Sequence, residues 1–256
     1  MSPLRSAPSQ PVAWRWSHLW RAPHRLAFFA GVLLLVVSGA WWAAVQIDRM
    51  TGALGLVYAV SPTLTHAAVM VQGFMPLFFA GFLFTAGPKW LGVDAPDAAA
   101  ITPALALQGL GWLLWLAGAH LHRDVAAAGA LVAAAGLAAQ NLRFWRLWRA
   151  SRVPDRVHAT VVAVGGALGA LCTAGMGASL LLDAPLIAMA LVHTALWGFI
   201  VATYVAVAHR MLPFFTSSAL PMIEVWRPFW VLWLMLAAVA LEIAAVWLLV
   251  AGWGES

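Results

Sequence analysis

The chain has 256 residues, 64% of them hydrophobic and only 9% charged, with a mean hydropathy of +0.89. A soluble domain carries roughly 25% charged residues because its surface must face water, so composition excludes a water-soluble globular protein. The formal charge of +5 does not point to nucleic acid, since the cations sit between apolar runs and form no continuous basic face.

Residues 1–24 are polar and carry Pro3, Pro8 and Pro11, then Trp14, Trp16 and Trp20 alternating with Arg15, His18 and Arg21. Indole rings beside cationic side chains are the pattern of an interfacial anchor. The apolar run that follows is too long for the core of a cleavable signal. Seven apolar stretches come next, at 25–47, 64–87, 101–120, 124–147, 157–182, 186–209 and 228–251. Each is long enough to cross roughly 30 Å of hydrocarbon. Lipid offers backbone groups no hydrogen bonds, so these are helices, and the short alternating segments of a membrane barrel are absent. The expected organisation is a cytoplasmic, partly interfacial segment over 1–24, an all-α polytopic transmembrane bundle over 25–252, and a tail over 253–256.

Charge sets the expected orientation. With the N-terminus inside, the inner side takes Arg5, Arg15, Arg21, Arg25, Lys89, Arg143, Arg146, Arg149, Arg152, Arg156, Arg210 and Arg227, and the outer side only Arg49 and Arg123. Twelve cations against two predict an N-in, C-out topology. The fourth span is nearly all Ala and Gly from Val125 to Ala139, and the fifth carries Gly165 and Gly169, then Gly175 and Gly177. Small residues let helix backbones approach closely in lipid, which predicts central, tightly packed helices. Pro76 predicts a kink in the second span.

Ionisable groups inside a membrane are costly and are candidates for function. His158 opens the fifth span and His209 closes the sixth, nearly equidistant from the turn at Asp183-Ala184, so they should share one depth near the inner side. His66 and His193 lie toward the outer side, with His120 and His122 at the outer end of the third span. Imidazole ligates iron and copper well, and paired histidines on facing helices hold haem. A histidine at a span end also serves simply as an interfacial group, the reading favoured for His120 and His122. Glu242, halfway along the seventh span, is either protonated or paired, and is a candidate proton relay. The single cysteine, Cys172, excludes an internal disulfide or a cysteine metal cluster. No nucleophile triad, phosphate-binding glycine loop or HExxH helix is present, and no residue pattern identifies a turnover reaction.

Three segments resemble the NnrS family of haem- and copper-containing bacterial inner-membrane proteins linked to nitric oxide and nitrosative stress. They are RAPHRLAFFAG (Arg21–Gly31), LTHAAVMVQGFMPLFFAGFLFTAGPKWLG (Leu64–Gly92) and AHRMLPFFT (Ala208–Thr216). GFLFTAGPKWLG (Gly81–Gly92) is the most specific of these. The resemblance implies haem and copper held by histidines, with His66 and His209 at family positions and His193 transferred from its place in the sixth span; His158 joins His209 from the depth argument. Where the family has HxHEM, this chain has Ala68 and Val69 in place of the second His and the Glu. Family members have about twelve helices against the seven read here, so the expectation is a shortened member, or a fragment whose remaining helices are encoded elsewhere or lost, with a redox partner or the missing helices as expected partners. Two other readings stay open: a bis-histidine electron-transfer cytochrome with paired ligands at both depths, and a small transporter with its pathway along the Pro- and Gly-bearing helices.

Overall fold

A computed structural model describes residues 14–253 apart from Pro221, Ile223 and Val225. Residues 1–13 of the N-terminal segment, with Arg5 and its prolines, and residues 254–256 of the tail lie outside the described residues. Among the described residues, seven helices are long and apolar enough to cross a membrane: α1 (Pro23–Thr51), α2 (Pro62–Leu91), α3 (Ala98–Leu121), α4 (Arg123–Ala150), α5 (Val157–Leu181), α6 (Pro185–Ala219) and α7 (Phe229–Val250). Each expected span has its helix, and no strand occurs among the described residues. The protein is an all-α, multi-pass membrane protein. Before α1, Trp16–Arg21 form a short 3-10 helix with Trp16 and Trp20 exposed.

Most helices overrun the apolar stretches, because hydropathy marks the hydrocarbon thickness and a helix continues into the polar headgroup layer. The largest difference is in α6, which does not end at His209 but runs on to Ala219 through Pro213. Proline is compatible with helical φ, but it removes the bond that its missing N–H would have made to the His209 carbonyl and its ring crowds that carbonyl. The hydroxyls of Thr216 and Ser218 donate to the carbonyls of Leu212 and Phe214, at 3.0 and 2.8 Å.

The irregularity expected at Pro76 takes the form of a π turn, Val69–Phe74, placed directly before it. The proline ring crowds the carbonyl four residues back, that of Gln72, and the wider turn makes room. A second π turn, Leu196–Val201, interrupts α6 with no proline near it and touches the first. Nothing in the residue pattern marks that second turn.

Glycines set the helix spacing. A methyl group at Gly111 or Gly118 on α3 would collide with the α4 backbone at Ala133 or Ala126, and one at Gly136 would lie 2.7 Å from the Gln108 nitrogen. Across this seam Gln108 Nε2 donates to Gln140 Oε1 at 2.8 Å. On α5, Gly165 and Gly169 receive α6 at Gly198 and Phe199. The small-residue stripes are therefore packing surfaces, as the composition implied. α1 and α7 lie outermost: 22% and 11% of their most apolar windows are buried, against 44% or more elsewhere.

Because the helices alternate in direction, Lys89, Arg210, Arg227 and the arginines of the α4–α5 connection share one end with the start of α1. We refer to it as the basic end.

Candidate functional site: two histidine sites at the basic end

The α5–α6 turn is tight. Asp183 adopts the left-handed conformation (φ 55°), and Arg123 Nη1 donates to its carboxylate at 2.7 Å. A hairpin closed this way brings His158 and His209 to one level, as their spacing from the turn requires. The two rings meet, with His158 Nε2 2.9 Å from His209 Nδ1. Their centres are 5.2 Å apart and their planes differ by 24°. That separation is the nitrogen–nitrogen distance plus about one ring radius at each end, so the rings meet edge to edge and not face to face.

The protonation states follow from one carbonyl. His209 Nε2 lies 3.0 Å from the Pro228 carbonyl, which can only accept, so this nitrogen carries a proton. His209 Nδ1 is then the acceptor and His158 Nε2 the donor. His158 Nδ1 is left bare, buried and without a partner. Phe229 packs against both rings, with centroids at 5.6 and 5.9 Å. His158 is 1% and His209 8% exposed, so this pair is sealed.

Each anchor of the pair has a cation beside it in the chain: Arg210 follows His209 and Arg227 precedes Pro228. Asp155 holds both, with its Oδ2 3.2 Å from Arg227 Nη2 and 3.9 Å from Arg210 Nη1. The Arg210 guanidinium also lies over the Trp90 ring at 5.2 Å, a favourable cation–π placement. Both arginines line a cavity of about 690 Å³ between α1, α2 and α6.

Three helices build that cavity, each with residues four apart and so on one face. They are His24 and Phe28 on α1, Thr85 and Lys89 on α2, and Arg210 and Phe214 on α6; Phe82, Trp90 and Met211 complete an apolar wall. Thr85 Oγ1 donates to the Gly81 carbonyl at 2.8 Å and lies 3.4 Å from His24 Nδ1. Gly81 is glycine for a local reason, since a Cβ there would stand 2.6 Å from the Phe28 ring.

The remaining sequence candidates are placed elsewhere. His66 stacks on Trp42 of α1 at 4.2 Å and 12°, with Nδ1 buried and unpartnered. His193 is exposed on α6, and Glu242 is exposed on α7, beside the residue (Ile243) that packs at Gly198. His120 accepts from Trp41 Nε1–H at 2.7 Å and donates from Nδ1 to the Val57 carbonyl at 2.9 Å, so both of its nitrogens are used in a structural clip. His122 caps α4, accepting from the Asp124 amide at 3.2 Å. Among the described residues no three His, Cys, Asp or Glu side chains gather as a metal site.

One family profile, described as NnrS protein, matches residues 18–254. The chain belongs to the NnrS family. No curated protein and no solved structure matches it. The NnrS-like segments are far apart in the chain, yet they converge on the cavity. Arg21–Gly31 supplies His24 and Phe28, Gly81–Gly92 supplies Thr85, Lys89 and Trp90, and Ala208–Thr216 supplies Arg210, Met211 and Phe214. His24 was not among the ligands chosen from the sequence. It stands in one of those segments, four residues before Phe28.

Proposed function

We propose that this NnrS-family membrane protein binds haem in the cavity at its basic end and serves in the nitric-oxide or nitrosative-stress response. Arg and Lys crowd that end, and by the positive-inside asymmetry it faces the cytoplasm of a bacterial inner membrane. The observation that carries the proposal is the convergence of the three NnrS-like segments on one amphipathic cavity.

Haem asks for a broad apolar slot, cations for its carboxylates and a nitrogen donor for its iron. The cavity volume of about 690 Å³ lies within the roughly 300–1,000 Å³ of cofactor and ligand sites. Its wall is aromatic, and its rim offers Lys89, Arg210 and Arg227 against the single carboxylate of Asp155. Arginine suits carboxylates through its planar pair of donors. These residues fit the group.

The His158–His209 pair does not fit a haem between its rings. An iron bridging two imidazoles would hold their nitrogens about 4 Å apart, twice a metal–nitrogen bond of roughly 2.0 Å, whereas here 2.9 Å is spanned by a shared proton. In the outer pair of the bis-histidine reading, His66 stacks on Trp42 and His193 is exposed. For copper, no set of three His, Cys, Asp or Glu donors gathers among the described residues.

A bound haem supplies an iron at which a diatomic gas can bind. The chain's own part is to bury the macrocycle against Phe28, Phe82 and Trp90, to fix its carboxylates at the basic rim, and to keep bulk water from the slot. The test is an absorption spectrum of the purified protein with a pyridine haemochrome assay and metal analysis. A Soret band with haem near one per chain is expected. A colourless preparation after haem-supplemented expression would contradict the proposal.

A further inference from the structure

We infer that His24 is the ligand through which this chain holds the haem iron, with Thr85 as its positioning residue and Lys89, Arg210 and Arg227 receiving the carboxylates. The inference rests on the haem proposal above and names the residue at its centre, one outside the four histidines chosen from the sequence.

The assignment follows from which imidazole nitrogens are already used. Thr85 has a single hydroxyl proton, and it goes to the Gly81 carbonyl at 2.8 Å. Thr85 Oγ1 can therefore only accept from His24, so the proton of the 3.4 Å contact sits on His24 Nδ1. This leaves Nε2 as the bare lone pair of a residue that lines the cavity, and it takes part in no hydrogen bond among the described residues. A histidine that donates its other ring proton to a protein acceptor has the orientation and basicity of a metal ligand.

No other histidine lines the cavity. His209 and His120 each use both nitrogens. His158 keeps a bare Nδ1, but it is 1% exposed and does not line the cavity. His66 lies near the opposite end of α2 from the cavity, against Trp42. A purely interfacial histidine would be satisfied by water at the membrane surface. His24 is instead half-buried, four residues before the aromatic wall and within a rim of three cations.

The electrostatics agree with an anionic ligand. Asp155 is the one carboxylate within salt-bridge reach of Arg210 and Arg227, and Lys89 has no carboxylate partner among the described residues. Three cations facing one cavity with one counter-charge leave room for two carboxylates, which is the charge that haem carries beside its flat apolar body.

The experiment uses the full-length protein in lipid nanodiscs. First, the wild type is purified after haem-supplemented expression. If it carries no haem, the functional proposal itself fails. If it carries haem, His24→Gly is expected to lose the iron-bound spectrum, and added imidazole is expected to restore it by occupying the vacated volume. Thr85→Val is expected to retain haem, with affinity reduced about tenfold and a shifted iron–histidine stretch in the resonance Raman spectrum. A merely structural threonine would not move that line. Lys89→Ala is expected to speed haem transfer to apomyoglobin. Full haem content and an unchanged spectrum in His24→Gly would overturn the inference while leaving the haem proposal standing. Should His24→Gly fail to fold, ¹⁵N-histidine labelling of the wild type decides: no isotope-sensitive iron–histidine line would also overturn it.

Discussion

Two histidine sites lie at the basic end, and they differ in what their nitrogens have left to give. His158 and His209 spend three of their four ring nitrogens on each other and on Pro228, under a Phe229 lid, and the fourth, His158 Nδ1, is buried away from the cavity. His24 spends one nitrogen on Thr85 and keeps the other for the cavity. Depth and pairing in the sequence favoured the first site. Hydrogen-bond accounting joined to position favours the second, because His24 offers its unused nitrogen from the cavity lining. The sites are also joined: Arg210 and Arg227 belong to the cavity, while their chain neighbours His209 and Pro228 belong to the pair.

Four substitutions can break or sharpen this contrast. The largest effect on stability is expected from His209→Ala, which strands the His158 donor and the Pro228 carbonyl in a low-dielectric site. Leaving such groups unpaired costs about 2–3 kcal/mol, readable as a lower thermal midpoint in detergent, with the haem spectrum retained in the folded fraction. Gly81→Val should act on the other site. Its side chain would drive the Phe28 ring into the slot, and we expect haem occupancy to fall about tenfold, ~1.4 kcal/mol, with the midpoint little changed.

Arg227→Ala touches both sites, since it removes a partner of Asp155 and a cation of the rim. An ion pair this exposed contributes about 1 kcal/mol or less, so a few-fold faster haem loss and a shallow loss of stability should appear together. The smallest effect is expected from His120→Phe at the opposite end, where water can replace the lost bonds to Trp41 and Val57. We expect a cost of about 1 kcal/mol or less and no spectral change. A large spectral change there would mean that the outer histidines, and not the basic end, hold the cofactor.

Much of the fold was legible because membrane folding leaves a strong one-dimensional signal. Apolar length and Arg placement marked seven helices, and equal spacing from Asp183 brought His158 to His209. The glycines of α4 and α5 announced close packing, and Pro76 announced the irregularity before it. What stayed hidden depends on three-dimensional closure. The cavity joins side chains from positions 24, 85 and 210, which no local pattern connects. The tautomers of His209 and His24 rest on single acceptors, Pro228 and Thr85, that proximity alone supplies. The π turn at Leu196–Val201 has no proline to signal it, and α6 continues through Pro213 to Ala219 although a proline inside a helix usually marks its end. Glu242, conspicuous in the sequence, lies on the exposed face of α7 with no partner among the described residues.

The central claim is that ligand and clip are divided between His24 and the His158–His209 pair. The most direct measurement is a haem titration of His24→Ala and of the double substitution His158→Ala/His209→Ala, in identical lipid nanodiscs, alongside their thermal midpoints. We expect the His24 variant to keep its midpoint and lose the iron-bound Soret band. The double variant should lose several degrees in midpoint and bind haem with the wild-type spectrum. Haem lost from the double variant and kept by the His24 variant would contradict the account.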